Sequence, residues 1–193
     1  MDITKLVVLD RDGVINEDSP DFIRSADQWT PIPGAIEAIA RLSKAGWAVA
    51  VATNQSGLAR GYFDENALAA MHDKMLTLIN EAGGKIAHIA YCPHGPDERC
   101  QCRKPLPGLL YQIRDALGIE TLAGAWMVGD SLRDLQAGQA AGCRVALVRT
   151  GKGYITEGDL DQLNDTISIL VTDSLANFAD KLLNMDSAQR CFA

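Results

Sequence analysis

The chain has 193 residues, 47% hydrophobic and 22% charged, the composition of an ordinary globular protein with room for one domain and a sizeable core. Its formal net charge of −7 repels nucleic-acid backbones and anionic membranes, so neither is expected as a partner. No apolar run reaches membrane-spanning length, and the first one, residues 6–9, stops at Asp10; a cytoplasmic monomer is the expectation.

Residues 5–10 read as a short buried strand ending in a carboxylate. Pro33 and Gly34 open a helical pattern carried by Ile36, Ile39, Ala40 and Leu42 and closed at Gly46. Residues 47–53 form a second buried strand. Asp64 is a natural N-cap for a helix with the apolar face Leu68, Met71, Met75, Leu78 and Ile79, stopped at Gly83-Gly84. Residues 86–92 are strand-like, and Pro107-Gly108 start a helix that Gly118 ends. A strand at 126–130 runs into acid, a helix follows over 133–141, and another strand covers 144–148. Residues 151–165 are polar and read as a loop. A strand over 167–171 and a helix over 175–183 complete a single domain of residues 1–185, with 186–193 as a tail.

Such alternation predicts an α/β, Rossmann-like three-layer domain with a mainly parallel sheet. Ligands of open parallel sheets sit beyond the carboxyl ends of the strands, and four such ends carry reactive groups. The first is Asp10-Arg11-Asp12-Gly13. Two carboxylates this close demand a cation or a proton; one can attack phosphorus while the other moves protons. Asp-Gly is also a common turn dipeptide. The second is Thr53-Asn54-Gln55-Ser56, a hydroxyl with backbone N–H groups suited to phosphate oxygens, or simply a polar loop. The third is Arg103-Lys104, a lysine for a transferring phosphoryl group beside an arginine for a second anion, or a solvated basic pair. The fourth is Asp130 with Asp134. Asp130 suits an oxygen-rich Mg²⁺ site with Asp10 and the backbone carbonyl of Asp12. Asp134 either orients the metal's waters or is a first-turn acid stabilising its helix.

In order and placement these four pieces resemble the haloacid dehalogenase-like phosphatase superfamily over residues 10–134. The resemblance implies Mg²⁺-dependent phosphomonoester hydrolysis through an aspartyl-phosphate. Asp10 would be the nucleophile and Asp12 the general acid/base. Thr53 and Lys104 would steady the phosphoryl oxygens, and Asp10, Asp12 and Asp130 would hold Mg²⁺.

Cys92-Pro93-His94 followed by Cys100-Gln101-Cys102 supplies three thiolates and an imidazole, a set for structural tetrahedral Zn²⁺ without an open position. Reduced, unliganded cysteines are the alternative. The loop leads directly into Arg103-Lys104, so zinc would order the segment that presents both cations. Cys143 reads as a small buried hydrophobe and Cys191 lies in the tail.

The gaps between Asp12 and Thr53 and between Thr53 and Lys104 leave no space for an inserted domain, so the fold is expected to be capless. Substrate choice then falls to short loops over residues 17–29 and 57–63 and to the zinc loop. The expected substrate contacts are Arg11, Asp12, Ser19, Asn54, Gln55, Ser56, Arg60, Arg103 and Lys104. The runs at 9–16, 53–61, 128–134 and 148–151 are most similar to a capless branch of the superfamily. That branch removes the 7-phosphate of D-glycero-D-manno-heptose 1,7-bisphosphate, a step toward ADP-heptose and the lipopolysaccharide core. A histidinol-phosphatase branch is the alternative reading, and a catalytically silent phospho-ligand sensor the alternative from another class. Many members of the heptose branch carry a Gly-Tyr pair in the first loop, where this chain has Asp18-Ser19-Pro20-Asp21-Phe22.

Overall fold

The computed structural model describes residues 5–163 and 168–190. In chain order its elements are β1 (Leu6–Leu9), α1 (Ala35–Lys44), β2 (Ala48–Asn54), α2 (Glu65–Glu81), β3 (His88–Cys92) and α3 (Gly108–Ala116). There follow β4 (Trp126–Gly129), α4 (Leu132–Ala140), β5 (Arg144–Val148), α5 (Gly153–Thr156), a 3₁₀ turn (Glu157–Gln162), β6 (Leu170–Thr172) and α6 (Leu175–Arg190). The strands form one sheet in the order β3-β2-β1-β4-β5-β6, with each neighbouring pair parallel.

Successive strand residues face opposite sides of a sheet, and the apolar runs feed two cores. Val7, Leu9, Trp126 and Val128 pack under α1, α2 and α6. Leu6, Val8 and Met127 pack under α3 and α4. Trp126 meets Phe178 of α6 edge to face, with ring centroids 5.6 Å apart; burying a side chain such as Phe178 contributes about 1.5–3 kcal/mol. The Asp64 carboxylate caps α2 by accepting from the Ala67 N–H at 2.8 Å.

Strand order reverses beside β1. Leu9 pairs with Val51 on one side and Val128 on the other, and the Asp10 N–H donates to the Val128 carbonyl at 2.9 Å. This is the topological switch point, the place where an open sheet leaves a crevice. Among the described residues the β1–β2 connection holds a loop and α1, and the β2–β3 connection holds α2, so nothing caps the crevice.

Three boundaries differ from the sequence reading. Residues 151–165, expected as a loop, contain α5 and the 3₁₀ turn; these are too short to show a hydrophobic period and are held instead by hydrogen bonds, α5 to Asp130 and the start of the turn, through Glu157, to Arg149. The last strand occupies Leu170–Thr172 rather than 167–171, and Ile167 lies outside the described residues. α6 continues through Arg190 into the expected tail, where Asp186 pairs with Lys5 at 2.6 Å. Cys191 lies outside the described residues.

Candidate active site

Asp10 leaves β1 and Asp130 leaves the adjacent β4, so the register that pairs these strands also brings their terminal acids together. Asp134, one turn into α4, joins them; carboxylate oxygens of the three lie within 4.8 Å of one another. Lys104 sits among them, 1% exposed. Its ammonium lies 2.8 Å from Asp10 Oδ1 and 2.7 Å from Asp134 Oδ1, and it donates to the Ala52 carbonyl at 2.7 Å.

One cation does not neutralise three acids. Burial first, and the Asp134 charge second, raise the Asp10 carboxyl to about 6. Burial, then Asp134 and Asp10, raise Asp130 to about 8. Burial works to raise Asp134 as well, but the charge and hydrogen bond of Lys104 outweigh it and hold that group below its ordinary value. For Lys104 itself, burial opposes the charge, and Asp10 and Asp134 more than compensate. The excess negative charge and hard oxygen donors fit Mg²⁺, with Asp10 and Asp130 as ligands. Asp134 is less open, because Ser131 donates to its Oδ2 through both N–H and O–H, at 3.1 and 2.6 Å. These contacts fit the alternative reading of Asp134 as a first-turn acid of its helix, and they leave it beside the Asp10–Asp130 pair.

Backbone approaches Asp130 closely only because two residues lack side chains. A Cβ on Gly13 would lie 2.1 Å from Asp130 Oδ2, and one on Gly151 would lie 2.2 Å from it; both glycines have positive φ. The Lys152 N–H donates to Asp130 Oδ2 and the Thr156 hydroxyl to the Asp130 carbonyl, each at 2.8 Å.

Asp12 points elsewhere. The Arg11 guanidinium grips it through Nη2 at 2.9 and 3.0 Å and Nε at 3.2 Å, while Asn16 and Gln55 amides each donate at 2.9 Å. Burial would raise this carboxyl, yet the Arg11 charge and these hydrogen bonds prevail and lower it. Gln55 also donates to Thr53 Oγ1 at 2.8 Å. Asn54 exchanges two 3.1 Å hydrogen bonds with the backbone of Lys104, pinning the end of β2 to the lysine segment.

At the end of β3, Cys92 meets His94, Cys100 and Cys102, the set expected to hold zinc. Cys92 Sγ is 3.5 Å from His94 Nδ1 and 3.6 Å from Cys100 Sγ, and Cys102 Sγ is 3.4 Å from His94 Nδ1. A tetrahedral ion with Zn–S bonds near 2.3 Å sets its sulfurs about 3.8 Å apart, so the four donors fit Zn²⁺. Burial foremost pushes the Cys92 thiol up to about 12, and a bound cation would take the proton's place. The Arg103 guanidinium donates back to the His94 carbonyl at 3.2 Å.

Asp10, Asp12, Thr53, Lys104 and Asp130 line a cavity of about 350 Å³, with Arg103 beside them. Residues 101–178 match the family model described as "HAD-hyrolase-like". The D-glycero-beta-D-manno-heptose-1,7-bisphosphate 7-phosphatase of Pseudomonas aeruginosa is 55% identical over 178 residues, covering 92% of this chain and 97% of that protein. The enzyme of the same name from Bordetella bronchiseptica is 50% identical, covering 93% and 98%. A crystal structure of D,D-heptose 1,7-bisphosphate phosphatase from B. bronchiseptica, complexed with magnesium and phosphate, superposes with a TM-score of 0.87 at 49% identity, over 94% of this chain and 99% of that one. The chain belongs to the heptose-bisphosphate phosphatase family of haloacid dehalogenase-like hydrolases.

In this phosphatase every residue expected to touch substrate or Mg²⁺ lines that one cavity, Ser19, Ser56 and Arg60 included. Not all of them face it with free polar groups. Arg11, Asn54 and Gln55 spend theirs largely on Asp12, Lys104 and Thr53, and the three donors of Lys104 are already engaged. Sequence reasoning missed three rim residues. Phe22, in the left-handed region at φ 64°, packs edge to face on Tyr62 at 5.1 Å, with Arg60 over its own ring at 5.9 Å. Lys152 reaches Asp18 at 2.8 Å, and Arg133 stands on α4 beside the acids. The sequence signal for Arg133 was its place between Asp130 and Asp134; Lys152 gave none beyond following Gly151.

Proposed function

We propose that this phosphatase hydrolyses the 7-phosphate of D-glycero-β-D-manno-heptose 1,7-bisphosphate through a phosphoryl group carried on Asp10, a step toward ADP-heptose and the lipopolysaccharide core. The observation that carries the reading is the meeting of Asp10, Asp130 and Lys104 at one cavity floor. Sequence kinship with enzymes of that name supports the choice of substrate.

Asp10 Oδ1 is fixed by Lys104 and by the Arg11 N–H at 2.8 Å, which leaves Oδ2 without a protein donor among the described residues. That oxygen attacks phosphorus, the bond to the sugar oxygen breaks, and the leaving oxygen takes a proton from Asp12. Asp12 then removes a proton from water, which attacks the phosphoryl group, releases inorganic phosphate and restores the Asp10 carboxylate. The Arg11 grip favours ionised Asp12, the form this second half requires; the first half requires Asp12 to take up a proton on substrate binding, which the arriving phosphate dianion favours by raising its proton affinity. Thr53 Oγ1 accepts from Gln55, so its own O–H remains for a phosphoryl oxygen. Lys104 acts through Asp10 and Asp134, keeping their charge tolerable beside an arriving dianion.

Mg²⁺, held by Asp10, Asp130 and the backbone of Asp12, would supply electrostatic stabilisation of the transferring phosphoryl group. Structural Zn²⁺ on Cys92, His94, Cys100 and Cys102 would fix the segment bearing Arg103. The reading goes with a cytoplasmic monomer; among the described residues no helix is long and apolar enough to cross a membrane.

Initial rates with Mg²⁺, heptose 1,7-bisphosphate and histidinol phosphate test the assignment side by side. A much higher kcat/KM for the heptose is expected. A preference for histidinol phosphate would overturn it.

A further inference from the structure

The floor of the cavity is anionic, but its rim is not. Arg60, Arg103 and Arg133 come from three separate elements, the 57–63 loop, the zinc loop and α4, and all line the same cavity. In a chain of net charge −7, surface arginines have abundant carboxylates to pair with. Among the described residues, however, neither Arg60 nor Arg133 forms a salt bridge, and Arg103 reaches only the His94 carbonyl. The fourth rim cation, Lys152, is already taken by Asp18.

Arg133 is the least expected of the three. It is the second residue of α4, where the helix macrodipole is positive and an acid is the stabilising choice. A cation there works against the helix, and although its charge favours the Asp134 carboxylate in the same turn, that carboxylate makes its hydrogen bonds and ion pair with Ser131 and Lys104 instead. Three guanidinium groups without a salt bridge among the described residues, gathered at one pocket, suit an incoming polyanion that binds them by forked hydrogen bonds.

We infer that Arg133, with Arg103 and Arg60, seats the second phosphate of a bisphosphate substrate while the first lies at Asp10. Arg133 is thus a specificity-determining residue. This rests on the reading of a bisphosphate substrate given above. The chemistry recognised is a phosphate monoester dianion on the far end of a sugar, not the sugar itself.

The test compares kcat/KM for heptose 1,7-bisphosphate and heptose 7-phosphate in the parent, Arg133→Gln and Arg133→Lys. The parent should prefer the bisphosphate. In Arg133→Gln that preference should shrink at least about tenfold, the scale of one lost hydrogen bond to a charged group, mainly through KM. Lys should recover part of it, since it keeps the charge but not the fork. The melting temperature of Arg133→Gln should stay close to the parent's, as relief at the helix N-terminus offsets the lost attraction to Asp134, which separates lost recognition from lost folding. A parent that prefers the bisphosphate and an Arg133→Gln variant that keeps the full preference would refute the role of Arg133 alone. A parent indifferent to the second phosphate would refute the substrate reading, and this inference with it.

Discussion

The Lys104 ammonium lies 2.8 Å from Oδ1 of Asp10, on a segment that reaches the site from 94 residues further along the chain. Almost completely buried, it compensates charge that the fold could not otherwise keep beside Asp134. Removing one partner of a buried ion pair leaves the others uncompensated and destabilises by about 3–5 kcal/mol. Lys104→Met should therefore lower the unfolding free energy measured by urea titration by an amount of that order and abolish most phosphatase activity. A variant of parental stability would show that the pair does not bind the site together.

Gly151 tests how closely backbone must approach Asp130. In Gly151→Ala the new Cβ would meet Asp130 Oδ2 and the Gly13 Cα, at 2.2 and 2.7 Å, in a left-handed conformation. The carboxylate has to move, so the Mg²⁺ concentration giving half-maximal activity should rise several-fold. Gly46→Ala serves as the comparison: it shares the positive φ but has nothing within 4 Å of its Cβ. It should lose only about 1 kcal/mol of stability and leave the Mg²⁺ titration where it was.

The zinc loop gives a third expectation. Metal analysis should return about one tightly held Zn²⁺ per chain beside exchangeable Mg²⁺. Stripping zinc, or the Cys102→Ser change, should free the 92–102 loop and with it Arg103, raising KM before the domain unfolds. Hydrogen exchange over that loop reads the first effect and kinetics the second. A zinc-free preparation with unaltered KM would argue against any link between loop and substrate.

Asp64 lies far from the chemistry in role if not in sequence. Asp64→Ala removes the cap on α2 and should cost about 1 kcal/mol by denaturant titration, with kcat unchanged. A fall in kcat would mean that α2 communicates with the site in a way its contacts do not suggest.

Much of this was legible in the sequence. Buried parallel strands are near-continuous apolar runs, so β1, β2, β4 and β5 stand out, and the acids that end β1 and β4 point to the candidate site from sequence alone. The cysteines and histidine of the zinc loop were close enough in sequence to be seen as a set. What stayed hidden depends on long-range encounters. Nothing in Arg103-Lys104 or in residues 130–134 says that Lys104 will pair with Asp134, or that Asp12 will turn away toward Arg11 and Gln55. The α5 and 3₁₀ segment has no apolar period because its order comes from polar bonds, to Asp130 and between Arg149 and Glu157. The end of α6 is polar at Asn184, Asp186 and Ser187, so periodicity stops there although the helix does not.

Capture of the phosphoryl group on Asp10 bears most directly on the chemistry. Acid quench during turnover of heptose 1,7-bisphosphate, followed by mass spectrometry of the peptide containing residue 10, should find that peptide phosphorylated in the parent and unmodified in an inert Asp10→Asn variant. An Asp10→Asn variant that releases phosphate at the parental rate would mean that phosphorus never bonds to this carboxylate.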